Sequence, residues 1–133
     1  MHLAAQRKQA GQTIIALLIF MMLSVMLTTA AATVTIVTAR ANNDYLNGTL
    51  ALGNAETGVE NALVRLERDP TYSGETMTLT DGNTTGTATI TVSGTTTKTI
   101  TSVGVVGNFR RVVTATASYT SNTITLTGWS ETP

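Results

Sequence analysis

His2 is the only histidine in this chain of 133 residues and cysteine is absent. A serine nucleophile beyond the N-terminus therefore has no imidazole to take its proton, and no thiolate exists for catalysis, metal binding or a disulfide. Lys98 stands on a threonine-rich stretch expected to be solvated, a weak basis for a serine–lysine pair. Glu56 and Glu60 lie one helical turn apart, where paired carboxylates can divide acid and base roles, but the plain reading is a solvated helix flank. Asp81, Asn83 and Thr84, with Glu75 nearby, offer oxygen ligands of the kind calcium takes, without EF-hand spacing. A hairpin turn needs only Asp81-Gly82. Phe109, Arg110 and Arg111, with Lys98 and Trp129, form a basic–aromatic set that could neutralise and stack single-stranded DNA. The competing reading puts Phe109 in the core, the arginines against carboxylates and Trp129 at a sheet end. No set supplies acid, base and nucleophile together, so the expectation is a protein that is not an enzyme and uses neither cofactor nor metal.

The elements that carry these residues begin with a long uncharged stretch. No ionisable side chain occurs from Gln12 through Ala39, 28 residues, and about 20 suffice to cross the apolar core of a bilayer as helix. Arg7 and Lys8 precede it, whereas Arg40 is followed by Asp44, Glu56 and Glu60. Positive charge is retained on the cytoplasmic side, which places the remainder of the chain outside. Thr28, Thr29, Thr33, Thr35 and Thr38 can bond back to the preceding helical turn and so remain compatible with helix. Three readings fit this segment: a secretory signal peptide cut near Ala30-Ala31-Ala32, a plain signal anchor, and a short hydrophilic leader that ends in glycine just before an apolar helix.

The third reading rests on specific residues. Gly11 followed by Gln12, Thr13, Ile14, Ile15, Ala16, Leu17, Leu18 and Ile19 resembles the class III signal of type IV pilins and type II secretion pseudopilins, and Asn54 through Leu63 is similar to the second half of the helix in minor pilins. The resemblance implies cleavage by a prepilin peptidase between Gly11 and Gln12 and N-methylation of Gln12. It also implies assembly with other pilin subunits by the pilus machinery of the cytoplasmic membrane. One position departs from the family pattern: its usual glutamate, fifth in the mature helix, falls at Ala16. An unpaired charge in an apolar medium is costly; with none here, subunit docking rests on apolar packing. Within the family this departure favours a minor, priming or tip subunit. Cleavage would remove Arg7 and Lys8, leaving six basic against eight acidic side chains, a balance that does not recruit nucleic acid strongly.

Beyond Arg40, Leu52, Ala55, Val59, Ala62, Leu63 and Leu66 recur at steps of three and four, which predicts a helix with one apolar stripe and Glu56, Glu60 and Glu67 along its edge. Arg65 can meet Asp69 one turn on, and Asp69-Pro70 closes the helix. Gly48, Gly53 and Gly58 fall within it and read as close packing against the sheet or weak helix at a bend, ahead of a dedicated hinge. From Thr76 the period changes to two: Met77 and Leu79, Ala88, Ile90 and Val92, then Ile124 and Leu126 alternate with threonine or serine, predicting strands with one apolar and one hydroxylated face. Turns are expected at Asp81-Gly82, near Gly94 and at Ser121-Asn122, and a phase slip between Ile100 and Val103 suggests a bulge near Gly104. The resulting expectation is an α+β protein: leader 1–11, transmembrane helix 12–40, amphipathic extension 41–70, and an antiparallel sheet 71–133 that forms one globular unit with the extension. The function expected is a pilin-like filament subunit. The alternative is a single-pass membrane-anchored or exported β domain that binds a surface ligand.

Overall fold

The computed structural model describes residues 2–120 and 123–132, with side chains from Gly11 onward. The leader charges Arg7 and Lys8 and the turn at Ser121-Asn122 lie outside the described side chains and residues. One helix, α1 (His2–Arg68), is followed by β1 (Thr76–Asp81), β2 (Thr84–Ser93), β3 (Thr97–Val106), β4 (Phe109–Thr120) and β5 (Thr123–Thr132). The five strands form one antiparallel sheet in the order β1-β2-β3-β4-β5. The architecture is α+β, and the chain divides into two compact units, Met1–Asn42 and Asn43–Pro133.

Among its described residues the first unit is helix alone. Large apolar side chains from Ile14 to Val37 point to every side of it and remain 53% to 73% exposed. Its threonines turn inward on the backbone as expected: Thr28, Thr29, Thr33, Thr35 and Thr38 each donate a hydrogen bond to the carbonyl four residues earlier, at 2.8 to 3.0 Å. Bonding back in this way leaves only methyl groups to face the surroundings, so the hydroxyls do not oppose an apolar environment.

In the second unit the helix continues to Arg68 and packs on the sheet. Ala55, Val59, Ala62 and Leu66 are fully buried with Ile90, Ile100, Val113 and Ala115, and Leu52 and Leu63 pack partly buried against this cluster. The strands bury alternate residues, as period two requires. Ala88 and Ile90 of β2 stand opposite Gly104 and Ser102 of β3, and Ile100 and Ser102 stand opposite Ala115 and Val113 of β4. Much of this seam is small. A Cβ on Gly104 would meet the Ala51 carbonyl and come within 3.0 Å of the Ala55 Cβ. One on Gly58 would overlap the Ser102 hydroxyl and stand 3.2 Å from both Ala88 and Ile90. Helix and sheet backbones therefore approach closely, which larger side chains at these positions would prevent.

The structure departs from the sequence expectations at several points. No bulge occurs near Gly104, where the pairing of β2 with β3 and of β3 with β4 runs without interruption. The phase slip arises because Ser102 and Gly104 take inward positions that the helix crowds, while Val103 and Val105 face the other side of the sheet. The register shift lies instead at Thr116/Ala117 against β5, where the Thr127 hydroxyl donates to the Thr116 carbonyl at 3.1 Å. Arg65 pairs with Glu75 and not with Asp69. Its Nε lies 2.7 Å from Glu75 Oε1 and also donates to Asn61 Oδ1 at 3.0 Å. Asp69 is taken by the turn beyond the helix, where its Oδ1 accepts from Thr71 N at 2.9 Å and Thr71 Oγ1 at 2.6 Å.

Candidate functional site

The segment that would be processed and inserted lies in α1. Gly11 and Gln12 are exposed on it, and a Cβ at Gly11 would meet nothing within 4 Å. Ala16 opens the apolar stretch with no charge near it in sequence. This helix is long and apolar enough to cross a membrane, and none of its most apolar window is buried against the protein. Leaving more than a dozen large apolar side chains in water is unfavourable by about 25 cal/mol per Å², so this surface requires lipid or protein around it.

The second candidate region is the end of the sheet that carries the β1–β2 and β3–β4 turns. Arg111 stands opposite Gly104 and shares its inward face, whereas Arg110 stands opposite Val105 on the outward face. The Arg111 guanidinium is half-buried over the helix: its Nη2 lies 3.6 Å from where a Cβ of Gly48 would stand, with the Phe109 ring at 3.9 Å. Around it opens a cleft of about 360 Å³ lined by Asp44, Tyr45, Thr49, Phe109, Glu131 and Thr132 among others. Among the described residues Arg111 makes no ion pair.

The proposed basic patch does not assemble. Lys98 stands opposite Ala117, six residues along β3 from Gly104 and its partner Arg111, roughly 20 Å away at the rise of a strand. Its Nζ donates to the Pro70 carbonyl at 3.0 Å, so the residue expected to be solvated instead ties the sheet to the end of the helix. Arg110 and Arg111 diverge because neighbours on a strand point to opposite faces. Trp129 lies opposite Ala115, is 43% exposed, and donates from Nε1 to Glu131 Oε1 at 3.2 Å. Phe109 is half-buried. This arrangement gives single-stranded DNA no continuous track.

At the opposite end, Tyr72 donates to Glu75 Oε1 at 3.2 Å, and the Arg65 guanidinium lies 5.7 Å over its ring. Burial, with the Glu75 charge, raises the Tyr72 pKa, and the two Thr71 hydrogen bonds lower that of Asp69. The Arg65 side chain is half exposed, so the pair with Glu75 contributes at most about 1 kcal/mol and serves chiefly to orient the chain into β1. Among the described residues no three acidic or histidine side chains converge as a metal site would need. Glu56 and Glu60 remain on the helix flank, half-buried and exposed respectively.

No local pattern marks the Arg111 cleft as a unit. Its walls come from residues 44–52, 109–111 and 131–132, far apart in the chain, and only the register brings them together. Comparison of the chain with models of protein families, with characterised proteins and with solved structures finds no match.

Proposed function

We propose that this chain is a pilin-like structural subunit, in a minor or tip position, of a type IV pilus or a related filament. In this reading the precursor is held in the cytoplasmic membrane by residues 12–39 with the second unit outside. Prepilin peptidase cuts it after Gly11, Gln12 is methylated, and the assembly machinery packs the freed helix among other subunits into an extracellular filament. The protein turns over no substrate. The observation that carries the reading is the uncharged helical segment beginning directly after Gly11, apolar on every side, in a helix whose later residues pack on an antiparallel sheet. A membrane-held precursor and a filament core both require such a segment, because each surrounds it with apolar matter. Glycine weakens helix by about 1 kcal/mol relative to alanine, which lets the chain open locally at Gly11 for a peptidase.

One observation favours a second reading, a single-pass anchored β domain that binds a surface ligand: Ala16 leaves the span without a carboxylate to pair with a neighbouring subunit's amine. N-terminal sequencing and intact mass of the membrane and filament fractions separate the two. A mature chain beginning at methylated Gln12 supports the filament subunit, an uncleaved chain the plain anchor, and a chain beginning at Thr33 a signal peptide. Gly11→Leu should leave full-length precursor in the membrane. Sparse or terminal immunolabelling of filaments would support the minor or tip position, and dense labelling along the shaft would contradict it.

A further inference from the structure

We infer that the Arg111 cleft binds a phospho-amine group, such as the zwitterionic headgroup of a phospholipid, with its phosphate on Arg111 and its ammonium between Asp44 and Glu131. Arg111 makes no ion pair among the described residues, and its guanidinium packs at ordinary contact distance over Gly48 of the helix. A guanidinium presents a rigid fork of donors matched to phosphate oxygens, and the Thr49 hydroxyl lines the same cleft. A simple anion does not fit the charges present. Two carboxylates share the space with one cation, so a phosphate that brought no positive charge would be repelled, whereas a phosphate carrying its own ammonium meets both signs. Tyr45 and Phe109 also line the cleft, and aromatic faces attract alkylammonium groups. The volume of about 360 Å³ admits a small ligand.

The lipid source rests on the membrane-held state proposed above. Asp44 follows Ala39, the last residue of the uncharged stretch, by five positions, and five residues reach at most ~18 Å even when fully extended. Whatever the angle between the two units, a span in the bilayer keeps this wall of the cleft near the headgroups.

Hydrogen exchange of the full chain tests the assignment, first in vesicles of phosphatidylcholine with phosphatidylethanolamine and then in vesicles of phosphatidylglycerol, which has the phosphate without the amine. Exchange in residues 44–52 and 106–112 should slow several-fold in the zwitterionic vesicles relative to phosphatidylglycerol. Arg111→Gln should abolish the difference and Arg110→Gln, on the other sheet face, should preserve it. Soluble phosphoethanolamine added to the detergent-solubilised chain distinguishes the sources: protection there assigns the site to a free phospho-amine, and protection in vesicles alone assigns it to lipid. Equal exchange in both vesicle types with no effect of phosphoethanolamine, or equal loss in the two arginine variants, overturns the inference. Resistance of the chain to alkaline extraction reports separately on the membrane reading, so a chain that stays in the membrane without lipid-dependent protection contradicts the cleft assignment alone.

Discussion

Residues 12–39 and 43–68 have the same secondary structure and opposite relations to their surroundings. In the first stretch, large apolar side chains cover the whole circumference and none is buried. In the second, one stripe is buried, much of it small: Ala51, Ala55, Gly58, Val59, Ala62 and Leu66 face the sheet, while Glu60 and Glu67 are left to water. The difference teaches what each stretch recognises. A bilayer or a bundle of like helices accepts apolar bulk on any side, so the first stretch needs only hydrophobicity and length. A single sheet face accepts one contour, so the second stretch needs a defined stripe and glycine where the backbones meet.

The largest expected effect breaks the comparison at its most buried point. Leu66→Ala should lower the stability of the 43–133 unit by about 2 to 5 kcal/mol. Leu18→Ala removes the same atoms from an exposed position and should leave the melt of that unit in the full chain unchanged. The reverse contrast comes from charge: Val25→Asp at the span centre should disfavour insertion by about 2.5 to 3.5 kcal/mol, read as loss from the alkali-resistant membrane fraction, with the melt of the second unit preserved. Glycines sharpen the contrast further. Gly58→Ala should destabilise by about 1 to 3 kcal/mol through overpacking against Ser102, Ala88 and Ile90. At Gly53 a Cβ meets nothing within 4 Å, so Gly53→Ala should stabilise the helix by up to about 1 kcal/mol. Thermal melts decide between these signs.

The smallest effect concerns acid. Because Thr71 lowers the pKa of Asp69 in the folded state, this carboxylate contributes stability that is complete above its ordinary unfolded pKa and fades as pH falls through the lowered folded value. Asp69→Asn should remove that contribution at neutral pH and flatten the stability profile below about pH 4, so that the variant and the parent chain converge in acid. Denaturant titrations at a series of pH values would show it.

Legibility from sequence followed the range of the forces involved. The apolar span, the back-bonded threonines and the stripe from Leu52 to Leu66 were readable because they depend on residues three or four apart on one helix. The two-residue alternation of β2 was readable for the same local reason. Ala51 was missed as a buried contact because a small residue carries little hydropathy, whereas the close packing expected at the helix glycines holds at Gly58 and fails at Gly53, which the sheet does not approach. The partners of Arg65 and Lys98, and the separation of Lys98, Arg110 and Arg111, required the strand register, which no local pattern states. Gly104 looked like a bulge and is a contact point for the same reason.

The most direct measurement is a single-cysteine scan, which the absence of native cysteine makes clean. Cysteines placed one at a time through residues 14–37 and 45–66 of the membrane-held chain would be challenged with a water-soluble maleimide. Protection should be uniform through the first stretch whatever the helical face. Through the second it should repeat every three to four residues, with reactivity lowest at 51, 55, 59, 62 and 66. A three-to-four-residue repeat in the first stretch as well would mean that it lies along a surface with one face in water, and would contradict the distinction between the two halves.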